Sequence, residues 1–322
     1  MTAFRNPWPH AEHGFIDILR WKMKWGPQEQ SVLQDAPDTP AGWRQLTRDD
    51  IAAPPASGWR ATWLGHASFL LQGCGISLLV DPVFSDYCAP LPLPSLRRQV
   101  PPPCAIGDLP EIHAVLLTHG HYDHLDLPTL RHLGTGIRMI CAEGHARWLR
   151  KQGFTNVSEL PWREQLEITP DVSVTSTPAQ HFTARSLFDR NAGHWCGFLI
   201  EGGGCRLWHA GDSGWCPAFA EIGASHGPID FGMIPIGAYQ PRHIMRAMHM
   251  NPGEAVSAFV ESRCRRAVAM HWGTFRLTDE AMGEPPLLLE RALGHHRIPV
   301  GRFIIPDVGE RWHILPDDGY LR

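Results

Sequence analysis

The sequence lacks the features that mark secreted, membrane-spanning and nucleic-acid-binding proteins. Its eight cysteines contain no C-x-x-C pair and no dense spacing, which excludes a zinc ribbon and a disulfide scaffold. The N-terminus lacks the apolar core of a signal peptide, and no later run approaches the length needed to span a bilayer. With 29 basic against 33 acidic residues, the net charge of -4 leaves no electrostatic footprint for nucleic acid. We therefore expect a cytoplasmic protein with free thiols and no nucleic-acid partner.

The composition is that of a globular protein with a sizeable core, since 43% of the 322 residues are hydrophobic and 19% are charged. Residues 1–60 are rich in Pro, Trp and Gly, and we expect them to form an N-terminal arm with one helix that packs on a single domain at 61–322. Strand patterns in the domain, at 61–71, 76–80, 114–117, 139–141 and 172–176, alternate with helix patterns at 128–133 and 145–152. This alternation predicts an α/β layered fold.

The strongest motif directly follows the buried-strand pattern at 114–117. Four side chains that can bind a metal, His119, His121, Asp123 and His124, lie within six residues there. Because residues two apart in an extended chain point to the same side, His119 and His121 can bind one ion, while Asp123 and His124 suit a second. A His-rich surface loop is the alternative interpretation. Imidazole and carboxylate ligands without thiolate favour zinc and leave iron and manganese open.

Three later strand patterns are each followed by one more residue that can bind a metal: His181, Asp212 and His271. Since Asp212 can bridge two ions, the seven residues divide into His119, His121 and His181 with Asp212, and Asp123, His124 and His271 with the same Asp212. Two cations that share a carboxylate lower the pKa of bound water from about 15.7 to about 7, which supplies a nucleophile at neutral pH. The pattern therefore predicts a two-metal hydrolase.

This ligand order resembles that of the metallo-β-lactamase fold superfamily, and within it the family of N-acylphosphatidylethanolamine-hydrolysing phospholipases D. The similar segments run through most of the chain: NPWP at 6–9, WLGHA at 63–67, THGHYDHLD at 118–126, AGDSGWCPAF at 210–219, IPIGAY at 234–239 and HWGTF at 271–275. The resemblance implies an αββα sandwich of two mixed β-sheets flanked by helices. It also implies two zinc ions on the seven residues and cleavage of N-acylphosphatidylethanolamine into N-acylethanolamine and phosphatidic acid.

The resemblance further implies roles for single residues. Asp123, Asp212 and His249 are expected to be catalytic, with Asp212 holding the two ions and His249 helping the leaving group. Tyr122 and His249 are expected to contact the substrate. Residue chemistry alone interprets Tyr122 as a packing residue and His249 as an exposed loop histidine in front of a helix that starts at Pro252.

Alternatives remain for the function and for the surface. The same metal site can serve a lactonase or another ester or amide hydrolase, and a non-catalytic, membrane-associated module with structural metal is a further alternative. Residues 14–25 mix large apolar groups with Arg20, Lys22 and Lys24, so they suit an anionic lipid surface, although packing on the domain is favoured. A homodimer also stays open.

Five more polar residues invite two interpretations each. Asp81 either orients a ligand histidine or simply ends its strand. Arg97 and Arg98 either meet a phosphate at the pocket rim or are solvated, and solvation is favoured. His66 and His209, which the patterns place on strands, either support a ligand residue or belong to the core, and the core is favoured.

Overall fold

In the computed structural model, residues 3–25, 29, 32–33, 35–299 and 301–316 are described. Two seven-stranded mixed sheets pack face to face, and helices cover their outer faces, so the αββα sandwich is confirmed. The predicted arm and domain both extend past the described part of the chain, at residues 1–2 and 317–322. Among the described residues, no helix combines the length and the apolar character needed to cross a bilayer.

The first sheet contains β1 (Trp59–Gly65), β2 (Ser68–Gly73), β3 (Ile76–Val80), β4 (Ala114–Leu117), β5 (Met139–Ala142), β6 (Val157–Leu160) and β14 (Arg311–Ile314), in the order β14-β1-β2-β3-β4-β5-β6. The second contains β7 (Gln165–Thr169), β8 (Val172–Thr177), β9 (Gly197–Gly202), β10 (Cys205–His209), β11 (Ile229–Pro235), β12 (Cys264–Met270) and β13 (Phe303–Ile304), in the order β13-β12-β11-β10-β9-β8-β7. The described helices are α1 (Phe15–Lys22), α2 (Arg48–Ile51), α3 (Leu127–Leu133), α4 (Ala146–Lys151), α5 (Ala218–His226), α6 (Arg242–Met245), α7 (Pro252–Glu261) and α8 (Glu284–His295), with 3-10 turns at 94–96 and 106–108.

Central strands such as β2, β3, β4 and β5 are buried on both faces, and the alternation of side chains along them divides the buried residues between two cores. In β2, Phe69 and Leu71 join the central core between the sheets, whereas Leu70 joins the outer core under α3 and α4. Because successive strand residues point to opposite faces, one apolar run serves both cores. The outer face of the second sheet is covered by α7 and α8, whose Phe259 and Leu289 belong to the same contiguous buried cluster as the residues between the sheets.

The strand pattern at 61–71 is corrected by the structure, because it is a hairpin rather than one strand. β1 ends at Gly65 and β2 begins at Ser68. Gly65 and His66 have φ values of 101° and 53°, which turn the chain within the apolar run. His66 therefore lies in a turn and not on a strand. Apolar residues on both sides of the turn hid it from the sequence pattern.

The described part of the N-terminal arm contains two helices, α1 and α2, where the sequence predicts one. The short α2 is held by a capping box, in which Thr47 accepts a hydrogen bond from the Asp50 backbone while the Asp50 carboxylate accepts one from the Thr47 backbone. Four residues are too few to show a helical period. The helix predicted to start at Pro252 is found as α7, where Asn251 caps the Glu254 backbone amide.

Candidate metal centre

The seven predicted ligands lie together at one edge of the two sheets. His119, His121, Asp123 and His124 follow the end of β4, while His181, Asp212 and His271 follow the ends of β8, β10 and β12. The strands β10, β11 and β12 are parallel, so their carboxyl ends meet at the same edge. Topology thus brings residues from distant parts of the chain into one buried cluster.

On one side of the cluster, three imidazoles converge. The Nε2 atom of His119 lies 2.9 Å from Nδ1 of His121, which lies 3.2 Å from Nε2 of His181. The carboxylate Oδ2 of Asp212 is 3.7 Å from the same His181 nitrogen. Ligand atoms placed 2.0–2.1 Å from a tetrahedral zinc are about 3.3 Å apart, so these spacings suit one ion.

On the other side, two imidazoles face two carboxylates. Oδ2 of Asp212 lies 3.0 Å from Nε2 of His271 and 3.2 Å from Nε2 of His124. Oδ2 of Asp123 lies 3.4 Å and 3.6 Å from the same two nitrogens. One oxygen of Asp212 thus borders both groups of residues, and the division of these residues between two ions stays a prediction. Metal binding by these residues stays a prediction.

The buried polar atoms of the cluster fit a cation. Among the described residues, Nε2 of His124, Nε2 of His271 and Oδ1 of Asp212 are buried without a well-directed hydrogen bond, an arrangement that is costly unless another group satisfies it. Burial opposes a charge on His271, yet Asp212 and Asp123 raise its pKa to about 9. The same carboxylates attract any cation, so the donor set suits metal ions as well as protons.

In three of the candidate ligand rings, those of His119, His124 and His181, the second nitrogen is held by a neighbour. His124 donates from Nδ1 to Oδ2 of Asp81 at 2.7 Å, so of the two interpretations of Asp81 the structure shows contact with a ligand histidine. Thr118 donates its hydroxyl to Asp81 at 2.6 Å, and His119 then donates from Nδ1 to that hydroxyl at 3.0 Å. His181 donates from Nδ1 to the carbonyl of Met248 at 2.9 Å. These bonds set the tautomers and leave the inward nitrogens free to bind metal.

His66 is part of the centre, which corrects its assignment to the core. Its Nε2 lies 2.8 Å from Oδ2 of Asp123, and burial together with His271 lowers its pKa to about 3, so the ring is a neutral donor. The available signal was a buried histidine in an apolar run, which needs a polar partner. His209 does lie in the core, where Nε2 donates to the Ala67 carbonyl at 2.9 Å.

His249 faces the cluster, so its interpretation as an exposed histidine is wrong. Its side chain is 12% exposed, and Nδ1 lies 3.9 Å from Oδ2 of Asp212. Its ring centroid is 5.0 Å from that of His181 and 5.2 Å from that of His271. Tyr122 donates its hydroxyl to the Arg185 carbonyl at 3.0 Å and lies under the Arg185 guanidinium. Tyr122 therefore packs within its own chain, and substrate contact by Tyr122 stays a prediction.

Arg98 is buried, so solvation is the wrong interpretation for this residue. It donates from Nη2 to the carbonyl of Val83 and from Nε to that of Ser85, and its guanidinium lies 4.7 Å from the Phe275 ring centroid. Residues 88–104, a proline-dense loop, fold inward here because a β-bridge joins Arg98 to Phe275. Arg97 is exposed, as expected.

A cavity of about 450 Å³ adjoins the three-histidine side of the cluster. Its walls come from the N-terminal arm, including Phe4 and Arg5, and from His181, Phe182 and Arg190. Aromatic walls with a few cations are typical of sites that bind an anionic, partly apolar ligand. The arm is therefore part of the wall beside the candidate centre.

Comparison with known proteins gives a consistent result. Residues 77–272 match the beta-lactamase superfamily domain family. An N-acyl-phosphatidylethanolamine-hydrolyzing phospholipase D 1 of Caenorhabditis elegans is 34% identical over 89% of this chain and 83% of its own length. A UPF0173 metal-dependent hydrolase of Caldivirga maquilingensis is 28% identical over 74% of this chain and 92% of its own. The crystal structure of a possible metal-dependent hydrolase from Veillonella parvula superposes with a TM-score of 0.66 at 18% identity, covering 80% of this chain and all of that one, which shows a shared fold.

Proposed function

Because the chain belongs to the beta-lactamase superfamily domain family and is a metal-dependent hydrolase, we propose that it cleaves a phosphodiester in a phospholipase D-type reaction. The proposed substrate is N-acylphosphatidylethanolamine, which yields N-acylethanolamine and phosphatidic acid. The observation that carries the proposal is Oδ2 of Asp212, which borders both groups of candidate ligands. The 34% identical relative from Caenorhabditis elegans supports the choice of substrate.

Two zinc ions are the proposed cofactors. His119, His121, His181 and Asp212 would hold one, and Asp123, His124, His271 and Asp212 the other. Bound there, such ions lower the pKa of water and stabilise negative charge on phosphoryl oxygens. Asp212 sets the distance between the two groups of ligands, and His66 holds Asp123 in place by a 2.8 Å hydrogen bond. His249, whose Nδ1 has no hydrogen-bond partner among the described residues, is available to bind an oxygen of the substrate.

Part of the lining of the adjoining cavity suits a lipid substrate. Arg5 and Arg190 supply cations for a phosphate, while Phe4 and Phe182 supply apolar surface for a chain. Much of the remaining lining is polar, and a polar pocket would suit the lactone substrates of the alternative hydrolase. Tyr122, which follows the candidate ligand His121 directly, is the second proposed substrate contact.

Peripheral membrane contact through α1 is a further part of the proposal. One face of this helix packs on the domain, where Ile18 and Trp21 contact the cluster around Ile244. On the other face, Ile16 and Met23 are 63% and 51% exposed. Exposed apolar side chains next to Arg20 and Lys24 suit the interface of an anionic membrane. A cytoplasmic location and a homodimer stay predictions.

The decisive experiment compares substrates on zinc-loaded protein. We expect turnover of N-acylphosphatidylethanolamine to exceed that of phosphatidylethanolamine and of a panel of lactones. Asp212→Asn should leave a folded, inactive protein, with activity lower by orders of magnitude, because the shared carboxylate is lost. Preferred turnover of lactones, or an Asp212→Asn variant with unchanged activity, would contradict the proposal. Binding of Ile16→Ser and wild-type protein to anionic vesicles tests the membrane contact separately, since weaker binding of the variant is expected.

A further inference from the structure

The backbone of His181 is held by a residue 175 positions away in the N-terminal arm. The Asn6 side chain donates from Nδ2 to the His181 carbonyl at 2.9 Å, and its Oδ1 accepts from the His181 amide at 3.2 Å. The same oxygen accepts from Nε1 of Trp195 at 3.1 Å. The Asn6 side chain thus satisfies both the amide and the carbonyl of a candidate metal ligand. In a regular strand, the backbone of a neighbouring strand would form these bonds.

A β-bridge between Gln180 and Gly214 holds the residue before His181, whereas the amide and carbonyl of His181 itself bond to Asn6. The strand β8 ends at Thr177, so His181 follows four residues later in an irregular segment. Its ring is held by the carbonyl of Met248, which fixes rotation of the imidazole but not the place of the main chain. Asn6 supplies the second constraint. A ligand that is fixed at both ring and backbone needs little reorganisation to bind an ion.

The arm is anchored beside this contact by separate interactions. The Phe4 ring stacks on His194 with centroids 4.5 Å apart, and the Phe4 amide donates to the Asn191 carbonyl at 2.9 Å. Trp8 stacks on Trp162 at 5.9 Å. Asn6 therefore lies between two aromatic anchors that hold the arm across the loop after β8.

From these contacts we propose that Asn6 is a positioning residue for the metal centre, and that the N-terminal arm completes the three-histidine side by fixing the backbone of His181. The inference rests on the proposed metal site but not on the identity of the substrate. It makes the arm a component of the centre rather than a peripheral extension. Loss of the Asn6 side chain should speed the release of the ion held by His119, His121 and His181 and leave the release of the other ion unchanged.

The test is release of Zn²⁺ from the full-length, zinc-loaded protein into a colorimetric chelator. We expect the Asn6→Ala variant to release one of its two ions about tenfold faster than the wild-type protein, the lower end of the effect of groups that orient metal ligands. The second ion should be released at the wild-type rate. Asn6→Asp keeps the shape of the side chain but loses the donor to the His181 carbonyl, so it should also release one ion faster than the wild-type protein. This variant replaces Asn6→Ala in the test if the alanine variant does not fold.

A control variant separates positioning from general loss of stability. Leu289→Ala removes a buried side chain from α8, which does not contact Asn6 or the candidate ligands. This variant should release zinc at the wild-type rate. The inference would be overturned, and the proposed function would stand, if Asn6→Ala released both zinc ions at the wild-type rate. The same holds if Leu289→Ala released zinc as fast as Asn6→Ala. A wild-type protein that binds no zinc would overturn the proposed function as well.

Discussion

Replacing Asp81 with asparagine should weaken both the fold and the metal centre. Asp81 is fully buried and accepts three hydrogen bonds: Oδ1 accepts from the Thr118 amide at 2.8 Å, and Oδ2 accepts from the Thr118 hydroxyl at 2.6 Å and from His124 at 2.7 Å. Asparagine is neutral and has only one oxygen. In the better orientation of the amide, two bonds survive and the new NH2 group faces the Thr118 amide, so one buried donor loses its partner.

The cost can be worked out bond by bond. A hydrogen bond to a charged group contributes about 1.5–3 kcal/mol and one between neutral groups about 0.5–1.5 kcal/mol, so the two surviving bonds lose about 2 kcal/mol together. The unpaired donor adds about 1–3 kcal/mol. We expect Asp81→Asn to lower the free energy of unfolding by about 3–5 kcal/mol. Loss of the carboxylate behind His124 should lower metal affinity about 10–100-fold.

Urea unfolding of the metal-free protein measures the first effect, and competition with a zinc chelator measures the second. Asp171→Asn is the matched control, because Asp171 is exposed in the turn between β7 and β8. This control should change the free energy of unfolding by less than about 0.5 kcal/mol. If Asp81→Asn unfolded within about 1 kcal/mol of the wild-type protein and bound zinc equally well, the assigned role of the Asp81 network would be wrong.

Two further predictions concern the backbone and pH. Gly211, which precedes Asp212, has a φ of 64°, and a Cβ there would lie 2.3 Å from the Cys196 carbonyl oxygen. Gly211→Ala should therefore lower the free energy of unfolding by at least about 2 kcal/mol. Gly294 lies in open space on α8, so Gly294→Ala should raise the free energy of unfolding by about 0.5–1 kcal/mol. Equal melting temperatures of the two variants would contradict this prediction. Burial, and then His145, lowers the pKa of His194 from 6.5 to about 4, so the unfolded state binds this proton first as pH falls. As pH falls from 6.5 to 4, this group should lower the free energy of unfolding by at most about 1.4 kcal/mol per pH unit. In the His194→Phe variant, the free energy of unfolding should depend less steeply on pH over this range. An unchanged slope would refute the assignment.

The grouping of the seven candidate ligands could be predicted because each follows a strand pattern and because His119, His121, Asp123 and His124 are close in sequence. Periodicity shows where an apolar run ends, and parallel strands place such ends at one edge of a sheet. The same reasoning leaves two roles for Asp81, since a residue at a strand end either orients a neighbour or only ends the strand. The structure shows its contact with His124.

The incorrect expectations share a physical cause, which is that burial depends on contacts distant in sequence. His66 lies in a tight turn within an apolar run, so its contact with Asp123 is invisible locally. Arg98 follows a proline-dense loop that reads as solvated, yet a bridge to Phe275 buries it. The loop position of His249 before a helix predicts an exposed side chain, but the fold turns it towards Asp212.

Local sequence alone determined the kinds of donor atoms in the centre, their order along the chain and the layered fold that carries them. These properties follow from residue chemistry and from side-chain periods of two and 3.6 residues, which need no knowledge of distant contacts. Only the tertiary structure decided which polar neighbours hold those donors, among them His66 behind Asp123 and Asn6 behind His181. Such pairs are 57 and 175 residues apart, and only the packing of the two sheets and the arm brings them within hydrogen-bonding distance.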